Sequence, residues 1–119
     1  MSTFPHLQHF KAAEFGGYAD KMDRDFLILL DECRALAGIP FRLNSHYRSP
    51  ERNASVGGVK NSAHTRGYAV DIHCPSSASR HKLVQAALEV GFTRIRIGNT
   101  FVHLDADTSL PQNVMWTYS

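Results

Sequence analysis

Residues 68–73 have the make-up of a β-strand but carry a carboxylate, Asp71, between Val70 and Ile72. At the two-residue period of a strand, Tyr68, Val70 and Ile72 share one face, and Ala69, Asp71 and His73 share the other. A carboxylate set among apolar neighbours is costly to bury without a partner. Any fold open to this chain must therefore bring a partner to Asp71.

Two histidines can supply it. His64 ends the polar, glycine-bearing stretch 53–67, a loop long enough to be functional in its own right. His103 lies in a later alternating run, 100–105, which shares one face among Phe101, His103 and Asp105. Residues 93–97 form the strand before it, and Gly98-Asn99 is the kind of pair that supplies positive φ in a hairpin turn. Gly67, between His64 and the Asp71 strand, fits a sharp turn that needs positive φ or close backbone approach.

The rest of the chain supplies the support. Apolar residues Met22, Phe26, Leu29, Leu30, Cys33 and Leu36 recur every three or four positions, which predicts an amphipathic helix over 20–37 closed by Gly38 and Pro40. A second helix is expected from a cap at Ser77 or Ser79 to Val90, with Gly91 as its stop. Residues 41–47 alternate as a further strand, and Ser49 can cap a short helix beginning at Pro50. Phe10 and Phe15 anchor a helical turn near the start. The tail from Ala106 to Ser119, with Val114, Met115, Trp116 and Tyr118, is too apolar to be a free end and is expected to pack back.

Composition narrows the class of function. The 119 residues suit one domain, 1–119, with a single core, and the search is for one site. Formal net charge is +2, and the Lys and Arg residues are scattered instead of forming a stripe, so nucleic acid is not the expected partner. Cys33 and Cys74 lack CxxC spacing and are expected as two free thiols. No run approaches a membrane span, and residues 1–10 do not read as a signal peptide. The expectation is a monomer made in the cytoplasm.

His64, Asp71 and His103 together match what zinc chemistry requires. Two neutral imidazoles and a carboxylate bind at ~2.0–2.2 Å and leave a fourth tetrahedral position for water, the mark of a catalytic site more than a structural one.

The fuller run Ser62, His64, Gly67, Ala69 and Asp71 (SxHxxGxAxD), with Phe101-Val102-His103-Leu104-Asp105, resembles the signature of the zinc D-alanyl-D-alanine carboxypeptidase and L-alanyl-D-glutamate endopeptidase family. Ser45-His46-Tyr47-Arg48-Ser49-Pro50 is similar to that family's S-x-Y-R-S-P segment, and residues 10–15 resemble its F-x-x-x-E-F entry motif. The resemblance implies an α+β fold, a small, mainly antiparallel sheet backed by helices with the metal on its open face, as in hedgehog domains. It implies Zn2+ held by His64, Asp71 and His103, and Arg48 placed to bind substrate or the developing oxyanion. It further implies hydrolysis of an amide bond in peptidoglycan stem peptides, in a phage or prophage lysis setting where release to the cell wall depends on another protein.

One part of the pattern departs. Related hydrolases carry an acidic or histidine general base two or three residues before the last ligand, where this chain has Phe101 and Thr100. Asp105 is the first replacement, either as base or as the hydrogen-bond partner that fixes an imidazole. His73 and His46 are further candidates. Ser62 can donate toward the ligands or form the turn before His64, and Tyr47 and Trp116 read as packing. The alternative function is a non-catalytic zinc module that binds cell-wall peptide or a protein partner.

Overall fold

The computed structural model describes residues 5–58 and 62–117. Helix α1 spans Arg24–Ala37. It begins later than its apolar period because the Asp23 carboxylate accepts from the Phe26 amide at 2.9 Å and caps the chain there. Ala19–Lys21 forms a separate 3-10 turn. Gly38, at φ 68, ends α1 in the left-handed conformation.

Strand β1 (Leu43–Ser45) is shorter than the alternating run that suggested it, and its register slips between Leu43 and Ser45. Helix α2 (Pro50–Ser55) starts at its Ser49 cap as expected. Strand β2 (Ala69–His73) carries Asp71 at its centre. Helix α3 (Ser77–Val90) is capped by Ser76, not by Ser77 or Ser79, through a 3.1 Å bond from the Ser79 amide. The hairpin strands are β3 (Arg94–Ile97) and β4 (Phe101–Asp105). Their link corrects a reading of the sequence, since neither Gly98 nor Asn99 has positive φ. Glycine is needed at 98 for a different reason: the Phe101 ring lies where a Cβ would stand.

The apolar tail does more than pack back. Val114–Thr117 becomes strand β5 and adds parallel to β3, whereas Tyr118 lies outside the described residues. The sheet order is β1-β2-β4-β3-β5, with every other pairing antiparallel. This is the α+β arrangement expected, a mainly antiparallel sheet backed by helices.

Alternation then divides the side chains. Val70, Ile72, Ile95, Val102 and Leu104 are buried with Phe26, Leu27 and Leu30 of α1 and Leu83 and Ala87 of α3. Each Val, Leu, Ile or Phe among them contributes roughly 1.5–3 kcal/mol of burial. Phe10 and Phe15 close one end of this core, their ring centroids 5.6 Å apart. Cys33 and Cys74 are buried free thiols, and burial pushes Cys33 up to about 12. Among the described residues no helix is long and apolar enough to cross a membrane.

Candidate metal centre

The opposite face of the sheet carries the polar groups in a transverse row. Register aligns Ser45 with Asp71, Asp71 with His103, His103 with Arg96, and Arg96 with Trp116. A second row, one pleat away, aligns Asp105 with Arg94 and Arg94 with Val114.

His64 reaches the row from outside the sheet. It sits in a 3-10 turn, Ala63–Arg66, whose first amides need an acceptor; the Ser62 hydroxyl takes the His64 amide at 3.2 Å. Of the two roles open to Ser62, the geometry shows the turn-forming one. Gly67 ends the turn at φ 77, and a side chain there would run into the Lys21 carbonyl, so positive φ and close approach both apply. Arg66 clamps the turn from its other side, donating to the buried carboxylate of Asp107.

The three expected ligands converge. One donor atom from each of His64, Asp71 and His103 lies within 4.8 Å of the other two. His64 Nε2 is 3.3 Å and His103 Nδ1 is 2.9 Å from Asp71 Oδ1. Arms of ~2.0 Å from a tetrahedral zinc would set donors ~3.3 Å apart, close to both of the His–Asp71 separations here.

The ring nitrogens turned away from Asp71 are decisive for the fit. His64 Nδ1 donates to the His46 carbonyl at 2.8 Å, and His103 Nε2 donates to Asp105 Oδ2 at 2.7 Å. Each imidazole is thus held from behind by an acceptor and offers its other nitrogen to the common point, the arrangement that orients histidine ligands on a metal. The donor set fits Zn2+.

Charge accumulates accordingly. Burial alone would raise the Asp71 pKa, but hydrogen bonds from His103 and His64, and their charges, hold it well below the usual carboxylate range. Burial alone would lower His103; bonds to Asp105 and Asp71 outweigh it and raise the ring's pKa. A metal takes a deprotonated ring nitrogen, so any proton shared between His103 and Asp71 has to leave when metal binds.

The remaining candidates separate. Asp105 is only 1% exposed, and both its oxygens are engaged: Oδ2 with His103, and Oδ1 with Arg94 Nε at 2.7 Å and the Asp107 amide at 3.2 Å. Arg48 donates its backbone amide to the His64 carbonyl at 3.0 Å, and its buried Nε has no hydrogen-bond partner among the described residues. His46 meets the site through its backbone, while its ring packs against Tyr18. His73 is exposed at the far end of β2.

Sequence reading missed the flank beyond His103. A groove of about 680 Å3 runs there, lined in part by His103, Arg94, Arg96 and Trp116. The Arg-Ile-Arg-Ile alternation of β3 already put Arg94 and Arg96 on one face, but nothing local said that Trp116 would return beside them.

The family model for peptidase M15 matches residues 8–105. No curated protein matches the chain.

Proposed function

The chain belongs to the peptidase M15 family, the zinc D-Ala-D-Ala carboxypeptidases and related peptidoglycan peptidases, and we propose from this that it hydrolyses an amide bond in peptidoglycan stem peptides. The observation that carries the reading is the pair of imidazoles, each buttressed from behind, that meet on Asp71.

Zinc, when bound, supplies a polarised water and a Lewis acid for the scissile carbonyl. The chain's own residues do the rest. The His46 carbonyl and Asp105 hold His64 and His103 in the tautomers that ligation needs. Of the two roles open to Asp105, its contacts support that of hydrogen-bond partner, because neither oxygen faces an unengaged position. Arg48, tied by its amide to the His64 turn and carrying a buried Nε without a partner, is suited to steady a substrate carboxylate or the developing oxyanion. In this reading the chain acts as a monomer on the cell wall once released, as a phage or prophage lysis product does.

The engagement of Asp105, together with Thr100 and Phe101 at the usual base positions, favours one rival, a zinc module that binds cell-wall peptide without cutting it. Zinc-loaded protein incubated with peptidoglycan and its stem peptides, followed by mass spectrometry for new amines, separates the two. Cleavage is expected; binding without cleavage across about pH 5 to 9 overturns the enzyme reading.

A further inference from the structure

The segment that follows the last ligand-bearing strand supplies no ligand, yet it is tied to the metal centre from two sides. At its start the Asp107 carboxylate takes Arg66 of the His64 turn. Its middle is fastened by Gln112, whose amide donates to the Asp107 carbonyl at 2.9 Å and the Leu110 carbonyl at 2.8 Å, and whose oxygen accepts from the Thr93 hydroxyl at 2.7 Å. Asn113, at φ 59, then turns the chain into β5.

Arg94 carries the connection to His103. Register sets it directly across from Asp105. Its Nε donates to Asp105 Oδ1 at 2.7 Å, which leaves Oδ2 to accept from His103 Nε2 at 2.7 Å. The Asp105 side chain is only 1% exposed, and a carboxylate buried to that degree is left with uncompensated charge if its cation is removed. Arg94 therefore keeps Asp105 in one orientation as an acceptor for His103. What fixes Arg94 comes in turn from the tail: Nη1 donates to the Pro111 carbonyl at 2.6 Å, and the guanidinium lies 4.8 Å over the Trp116 ring. Guanidinium donors form a rigid planar fork, so holding Nη1 and one face of the group also sets the direction of Nε.

We propose that Arg94 is a positioning residue of the metal centre and that the tail sets it: Pro111 and Trp116 hold Arg94, Arg94 holds Asp105, and Asp105 aims His103. The centre then extends past residue 105, where the family match ends, into β5. This inference rests on the zinc reading of the site and is independent of whether a bound peptide is cut.

Zinc affinity of the folded protein, measured by competition with a chelator, tests it without any turnover. Arg94→Gln should weaken zinc about 10-fold, as loss of an outer partner of a ligand does. Trp116→Leu, which removes the ring behind the guanidinium, should weaken it about 2- to 5-fold. Arg94→Gln combined with Asp105→Asn should bind within about twofold of Asp105→Asn alone, because both changes break one chain of contacts. Ring-nitrogen NMR of the zinc-loaded protein gives a second reading. In the wild type His103 should carry its proton on Nε2, protected by Asp105; in Arg94→Gln that proton should shift and exchange with water faster.

A merely structural Arg94 would lower the unfolding free energy and leave both readings in place, and that result overturns the proposal. Losses that add in the double variant overturn it as well, since Arg94 would then act apart from Asp105. Zinc affinity unchanged in Trp116→Leu removes the tail from the chain of contacts. Should Arg94→Gln fail to fold, Arg94→Lys takes its place; it keeps the charge but not the fork, and unchanged affinity with an unmoved His103 proton overturns the proposal there. A wild type that takes up no zinc overturns the metal reading and this one together, whereas variants that bind zinc as tightly as the wild type overturn this one alone.

Discussion

Leu104 and Asp105 are neighbours in β4 and both are buried, yet they belong to different kinds of structure. Leu104 faces the helices among Val70, Ile95 and the other apolar side chains, where attraction is non-directional and any well-fitting hydrocarbon serves. Asp105 faces the groove side, where Arg94, His103 and the Asp107 amide each take a defined oxygen. One face of the sheet thus secures the fold by burial, and the other secures a set of atomic positions by pairing charges. The contrast teaches that the same strands can hold a site rigidly because their backs are anchored in a close-packed core.

The comparison is most directly broken at Asp71. Replacing it by Ala removes the carboxylate that both imidazoles face, and the protein should lose stoichiometric zinc and all cleavage. Metal analysis after dialysis checks this. Chelator should also lower the melting temperature of the wild type, since a ligand at about 1,000 times its Kd adds ~4 kcal/mol of stability; zinc retained by the variant would mean that the centre is misread.

On the helix face, Leu104→Ala should cost about 2–5 kcal/mol of unfolding free energy in a denaturant titration. Zinc affinity of the folded fraction should stay within about twofold, because burial and ligation are served by different faces. A large loss of affinity would show that the two faces are not separable.

One residue further on, Asp105→Asn should weaken zinc binding about 10- to 100-fold, measured by competition with a chelator. Asn still accepts toward one partner but cannot hold both His103 and Arg94 as a carboxylate does. Unchanged affinity would leave Asp105 with a purely structural task.

Asp107 gives the smallest effect and a pH signature. Burial alone would raise its pKa, but bonds from Ser109 and Arg66 outweigh this and bring it below its ordinary value. Its stabilising contribution is therefore complete above the unfolded pKa of about 3.9 and is lost as pH falls through the lower folded value. Asp107→Asn should cost about 1–2 kcal/mol at neutral pH, and the gap to wild type should close in acid. A gap independent of pH would mean that the Arg66 clamp does not depend on this charge.

Much of the molecule was legible because its signals are local. The helices announced themselves by period and stop residues, and the errors at their starts came from caps that a period does not show: Asp23 starts α1 later than its apolar repeat, and Ser76 caps α3 where Ser77 or Ser79 was expected. The hairpin was read in the right place for the wrong reason, since Gly98 makes room for Phe101 instead of supplying positive φ. The clustering of His64 and His103 on Asp71 was legible because a carboxylate in an apolar strand demands partners, and because His64, Gly67 and His103 stand in a recognisable pattern around it.

The sequence by itself determined which residues alternate, where the chain must turn, and that Asp71 could not stand alone. Only the tertiary structure decided that Trp116 would lie beside Arg96, that Arg94 would engage one oxygen of Asp105 and His103 the other, and that the tail would become a parallel edge strand. Periodicity and turn chemistry act over a few residues and are written in their order. Which strands become neighbours, and so which side chains form one row across the sheet, follows from how the whole chain buries its apolar surface.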